Sequence, residues 1–508
     1  MDLKYYFLPC LLLLAAASVA TQLSLPSRHS RHPVLHWATD DNPERVAQVA
    51  GFERWLRRHH YRYFTLRLDF VNDDLSKDII QGVSGDADDL MDMYSFGQMD
   101  FMQACGLLYN VAPDAQKMGF DSNHTWPVLR SYLVHKGRQY LYPRSVGPLL
   151  YWVNRATFAR YRQPVPPRNW TFGQFQRRGL AFVHAANAQP RRGSRQKVFF
   201  ANAVDTRFMR RSLGLSVFNA TLTRCILNDP RYVRVLRLAY RWTFVDHLVP
   251  TPAQQASFAT RTGYAGPMLQ LFNSGDFGMI YTGRFVLVQL RRFYKTSGAL
   301  ALAVSDPPYG RVPSSVLAAG GPAIYIGSAH KKLAEYFLAY LASRGHNMQI
   351  ARDGDDLPPN PIYTRTRAFL SPRRYPNEFG CSGAFAQAAR TIALPAAYSP
   401  FVLDSTVTRI VQGEAEAGFM AGIYTARQAA RLAADRINRR IAENVRASPR
   451  LQKLYTTLVR RQRRIDHWRQ AGRAIPPRLI RNPFYRWYYG RVNQNPRDTS
   501  GLGVRTHV

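Results

Sequence analysis

The chain has 508 residues, 46% of them hydrophobic and 13% aromatic, enough apolar material for two or three packed domains, which excludes a wholly disordered protein. Its 69 Lys and Arg against 33 Asp and Glu leave a formal net charge of +36, with the excess scattered from Arg28 to Arg505. A charge of that size points towards nucleic acid or an anionic membrane as partner, whereas its scatter fits a solvated basic surface.

Lys4 precedes an apolar run from Tyr5 to Ala17, and Ser18-Val19-Ala20 supplies a small-x-small cleavage pattern ahead of a polar stretch. The segment is about sixteen residues long against the roughly twenty of a membrane span, so residues 1–20 read as a signal peptide, with a retained membrane anchor as the alternative. Cys10, inside the run and followed by four leucines, is badly placed to carry a lipid. No later stretch approaches a membrane span in length, which predicts a soluble mature protein, periplasmic or extracellular.

Val34 to Trp37 reads as a strand ending in the polar loop Ala38-Thr39-Asp40-Asp41-Asn42-Pro43. Val46, Val49, Phe52, Trp55 and Leu56 recur at helical spacing, and Phe64, Leu66, Leu68 and Phe70 alternate as in a strand. A helix follows over Asp74 to Gly82, then the acidic turn Gly85 to Asp89 and a third short strand from Leu90 to Tyr94. Strand, helix, strand, helix, strand is the order of an α/β fold with a parallel sheet, and ligands of such sheets sit beyond the C-terminal strand ends. That rule places the Ala38 to Asn42 and Asp92 to Phe96 loops at a binding site.

Further on, Tyr142 to Asn154 reads as extended, Trp170-Thr171-Phe172 opens a helical region, and Pro307-Pro308-Tyr309-Gly310 breaks it. A strand and helix return with Ala323 to Ile326 and Lys331 to Ala342, and Asp353 to Pro361 breaks the pattern again. An Arg-rich helical stretch runs from Thr425 to about Gln462, and the tail past Pro476 is rich in Arg, Tyr and Trp.

Catalytic signatures are missing: there is no H-E-x-x-H, G-x-S-x-G or Walker A sequence, and Asp86, Asp88 and Asp89 lie on a turn of the solvated kind. Cys105, Cys225 and Cys381 are odd in number, far apart and without C-x-x-C spacing, leaving either one disulfide or three free buried thiols. The sequence predicts no enzyme, no metal and no cofactor.

The colinear series of segments resembles the bacterial extracellular solute-binding proteins of the sugar-binding ABC importer family, to which maltose-binding protein belongs, over about Val34 to Glu443. The carrying segments are His36-Trp37 with the acidic loop behind it, Lys77 to Tyr94 with Ala104-Cys105-Gly106-Leu107-Leu108, and Tyr142 to Asn154. They continue with Phe272 to Met279 running into Thr282-Gly283-Arg284-Phe285, Ala319 to Ile324 with the following helix, and Gly422 to Asn438. Phe285 stands where the family often has a sugar-stacking Trp.

The resemblance implies a two-lobed periplasmic-binding-protein fold with an interlobe hinge. Lobe I would span 34–143 and 311–357, lobe II 147–304 and 361–443, with crossovers near 142–148, 304–312 and 353–361. It implies a mono- or oligosaccharide as ligand and an ABC permease as partner. A sugar needs aromatic planes and hydrogen-bonding groups in a dry cleft. Trp37, Tyr94 and Phe285 are the candidate planes; Thr39, Asp41, Asp92 and Arg284, with the Gly320-Gly321 turn, are the candidate polar and backbone contacts. Residues 444–508 read as a separable basic helical extension. Arg460 to Arg464 and Phe484 to Tyr489 would carry the alternative function, binding an anionic lipid, polymer or nucleic acid at the cell envelope.

Overall fold

The computed structural model describes residues 32–61, 64–70, 75–135, 137–188, 197–258, 266–298 and 300–491. The signal-like segment 1–20 lies outside them. Ten strands build two main sheets: β1 (Val34–Thr39), β2 (Thr65–Phe70), β3 (Leu90–Met93), β4 (Ser145–Pro148), β5 (Leu150–Asn154), β6 (Phe199–Ala201), β7 (Phe277–Thr282), β8 (Leu302–Ser305), β9 (Ser315–Ile324) and β10 (Ala393–Leu394).

The first sheet runs β10-β9-β3-β1-β2, with β4 also paired to β9. Its first three strands are parallel, because a helix separates β1 from β2 and another separates β2 from β3. The second sheet runs β8-β5-β7-β6, with β6 and β7 parallel and β5 antiparallel to both neighbours. Between β4 and β5 stands Leu149 alone, so the chain passes from one sheet to the other within a single residue. It passes back between β8 and β9. β10, far along the chain, returns to pair Ala393 and Leu394 with Ser315 and Val316.

The helix α1 (Glu44–Arg58) shows where apolar spacing misleads. Phe52 and Leu56 are buried as the spacing predicts, but Val46 is 62% exposed, and Arg45 and Gln48 take the inward positions instead. Charge pairing with Asp40 and Asp355 turns the helix that way. A Cβ on Gly320 would lie 1.9 Å from the Met93 carbonyl oxygen, and one on Gly321 2.2 Å from that of Tyr142. The two glycines therefore serve the close approach of β9 to its neighbours.

The C-terminal segment, expected as a separable extension, packs against the second sheet instead of standing apart from it. The helices α3 (Ala426–Ala447), α4 (Pro449–Gln470) and α5 (Pro483–Arg491) follow one another with a single residue, Ser448, between the first two, and the expected boundary at 443/444 falls inside α3. A face of small and branched residues on α3, from Ala426 to Val445, packs into the core of the second sheet. Leu458, Ile465, Ile475, Leu479 and Ile480 join that core. So do Phe484, Tyr485, Tyr488 and Tyr489, which α5 stacks on its inner side while Arg486 stays exposed. Basic residues interleaved with aromatics are here the two faces of packed helices.

Among the described residues, Cys225 and Cys381 are buried and Cys105 is exposed, and all three are free thiols. No described helix is long and apolar enough to cross a membrane.

Candidate functional site

Beyond the ends of β1 and β3 lies a buried polar network. Thr39 Oγ1 donates to Asp92 Oδ2, and Arg144 Nη1 pairs with the same carboxylate. Arg45 bridges Asp40 at 2.7 Å and Asp355 at 2.7 Å, while Asn42 and Gln48 donate to Asp355. His346, fully buried, donates from Nε2 to the Arg144 carbonyl at 2.9 Å. Burial pushes the Asp92 carboxyl up, against the pull of Arg144 and Arg45. At Asp355 the two guanidiniums outweigh burial and hold the carboxyl below its ordinary value. Four segments distant in sequence, at 39–48, 92, 144 and 346–355, are thereby clamped together.

The network opens onto a cleft through Tyr94, whose ring centroid is 6.0 Å from the Arg144 guanidinium carbon. The backbone N–H groups of Tyr94 and Ser95 both donate to Gln98 Oε1, and Ser95 caps the helix α2 (Phe96–Ala104), so the loop after β3 is fixed. The opposite wall comes from the loop after β6. There Asp205 caps the helix Thr206–Ser212 and holds Arg207 at 2.7 Å, and Arg210 and Arg211 follow on that helix. Tyr398, Asp404 and Gln412 complete the rim. The cleft's volume is about 240 Å³, a little below the roughly 300–1,000 Å³ of ligand sites.

The walls nearly meet at Gly97, where a Cβ would lie 2.6 Å from Asp404 Cβ and 2.7 Å from the Tyr398 ring. Ser95 Oγ reaches Asp404 Oδ2 at 3.5 Å across the same gap. Burial raises the Asp404 carboxyl to about 6, opposed by Ser95 and Arg207. Arg211 donates to the carbonyls of Ser315, Leu394 and Pro395 and so anchors the strand and loop leading to Tyr398. Burial and then the neighbouring Arg210 charge lower its guanidinium to about 10.

Wider cavities exist, one of about 690 Å³ among Arg291, Arg352, Arg373 and Tyr375 and one of about 700 Å³ along the helix from Pro230. Neither joins the loops that follow β3 and β6. The smaller cleft does, and in α/β sheets that position is where ligands bind.

Of the candidates from sequence, Tyr94 lines this cleft. Trp37 does not: it is fully buried against Phe337, ring centroids 4.8 Å apart, because a large apolar ring inside a parallel sheet faces the covering helices. Arg284 is also fully buried and donates to Ser382 Oγ and to the carbonyls of Ile350, Ala351 and Asp356, so it staples segments together. Thr39 and Asp92 are committed to the polar network, and Gly320 and Gly321 to close strand packing. Asp41 is exposed and Phe285 half-buried, and neither lines the cleft. Sequence reasoning missed Arg207, Arg210, Tyr398 and Asp404. The strand-end rule applied to Phe199-Phe200-Ala201 would have reached the first two.

No protein-family profile and no curated protein sequence matches this chain. Solved structures do. An ABC substrate-binding protein from Listeria monocytogenes in complex with cycloalternan superposes with a TM-score of 0.65 at 17% identity, covering 81% of this chain and 99% of its own. A solute-binding protein of an ABC transporter from Thermotoga lettingae, bound with α-D-tagatose, gives 0.66 at 13% identity over 80% and 100%. The GacH receptor of Streptomyces glaucescens, solved unliganded and with acarbose, gives 0.65 at 14% identity over 81% and 99%. The chain has the two-lobed α/β fold of the sugar-binding ABC solute-binding proteins, and only helices follow its last strand.

Proposed function

We propose that this protein is a solute-binding component of an ABC importer, exported by its N-terminal segment, that captures a sugar-like solute between its lobes and performs no catalysis. One observation carries the reading: segments after β3, β6 and β10, from the two sheets, bring the ring of Tyr94, the ring of Tyr398 and several hydrogen-bonding side chains around one cleft. Aromatic faces with a polar rim suit a molecule that has an apolar ring face and peripheral hydroxyls. Solved proteins of this fold carry cycloalternan, tagatose or acarbose.

The chain crosses between the sheets at Leu149 and again between 305 and 315, so rotation about those short links would open and close the cleft. A solute bound better by the closed form would supply the free energy of closure, and the permease would read the closed surface. The test is a thermal-shift screen of mono- and oligosaccharides, followed by calorimetry on Tyr398→Ala. A true ligand at about 100 times its Kd adds roughly 2.7 kcal/mol of stability, and Tyr398→Ala should weaken it by about 1–3 kcal/mol. A screen in which no saccharide raises the melting temperature, or a variant with wild-type affinity for the best one, would remove the reading.

A further inference from the structure

The cleft holds more positive charge than its own carboxylates use. Arg207 is paired with Asp205, and Arg211 spends its donors on three carbonyls. Arg210 is different. It is 7% exposed, it lines the cleft, and its Nε is buried without a hydrogen-bond partner. Among the described residues no acceptor lies within hydrogen-bond distance of its other nitrogens either. A buried carboxylate that feels its charge is Glu416, whose Oε1 already accepts from Thr206 and Tyr232 at 2.7 Å each. Asp404, the one acidic side chain on the cleft lining, faces Ser95 and Arg207.

A guanidinium has five donors in a planar fork, and leaving them unmade in a desolvated place is costly. The group that repays that cost is a planar or tetrahedral oxyanion, which accepts two parallel N–H bonds. We infer that the solute is an acidic saccharide, whose carboxylate or sulfate substituent is received by Arg210, with Arg207 beside it on the same helix, while Tyr94 and Tyr398 take the ring. The inference rests on the sugar-binding reading and narrows it to one charge class. A neutral sugar would place hydroxyls against Arg210 and gain only ordinary hydrogen bonds.

The test uses matched probes on the full mature chain by calorimetry: digalacturonate against its dimethyl ester, galactose 6-sulfate against galactose, and inorganic sulfate alone. At least one charged sugar should bind tenfold or more tighter than its neutral partner and tighter than sulfate, and the advantage should shrink as salt rises from 50 to 200 mM. Arg210→Gln should reduce that advantage below threefold while Arg210→Lys keeps part of it. If Arg210→Gln proves unstable, Arg207→Gln should cut the same advantage, and the salt dependence of the wild type stands as a readout of its own. Charged sugars that bind no tighter than neutral ones, or sulfate alone that binds as tightly as its sugar ester, overturn the inference. Binding of neutral sugars alone overturns it and leaves the sugar-binding reading standing. If no saccharide of either class binds, both fall.

Discussion

Replacing Tyr485 with Ala tests whether the C-terminal helices belong to the core. Tyr485 is fully buried, its ring centroid lies 5.2 Å from that of Phe484 and 5.7 Å from that of Tyr489, and Ser216 N donates to its hydroxyl at 3.4 Å. Truncating a buried aromatic to Ala costs about 3–5 kcal/mol, from lost burial and the cavity left behind. Tyr485→Phe removes only the hydroxyl and one long hydrogen bond, so it should cost about 1 kcal/mol or less. In urea, followed by Trp fluorescence and taking a slope of roughly 3 kcal/mol/M, the Ala variant should unfold about 1 M earlier and the Phe variant nearly with the wild type. An exposed aromatic on a separable tail would change stability by only about 0.5 kcal/mol. A wild-type midpoint for Tyr485→Ala would therefore refute the packing argument.

Two further outcomes follow from buried polar groups. Arg284→Met leaves the Ile350, Ala351 and Asp356 carbonyls without their donor, and should lower unfolding free energy by roughly 3 kcal/mol with little change in saccharide affinity; a folded, wild-type-stable variant that has lost affinity would restore Arg284 as a ligand contact. Burial lowers His346 to about 4, against the ordinary value near 6.5, despite its hydrogen bond to Arg144, and its Nδ1 has no partner to satisfy a second proton. The stability contributed by the neutral ring is thus fully present above about pH 6.5 and is lost as pH falls towards 4, by at most roughly 3 kcal/mol. The unfolding free energy of His346→Gln should show a correspondingly shallower acid slope, and identical slopes in both proteins would count against it.

The strand and helix order of the first sheet was legible because its elements alternate cleanly, and the fold followed from the colinear series through Asn438. The site was less so. A strand-end loop can be read from sequence, which found Tyr94, but whether a side chain there points to solvent, core or cleft depends on partners distant in the chain. Asp92 and Thr39 lost their freedom to Arg144, 105 positions beyond Thr39. Arg284 was taken up by carbonyls 66 and 67 positions away. The Arg-rich tail misled for a related reason: composition shows which residues a helix carries, whereas the burial of one face appears only once α5 has met the second sheet.

That last contact sets an order of events during synthesis. Leaving the ribosome N-terminus first, the chain exposes both sheets long before it delivers Phe484, Tyr485, Tyr488 and Tyr489, which join the larger core. Earlier helices already cover part of the second sheet, through Phe175, Phe182, Val235 and Leu236, but the rest of that core waits for α5. The larger core therefore completes its packing only after Tyr489 has been made, so a chain ending before α5 would leave that core open on one side.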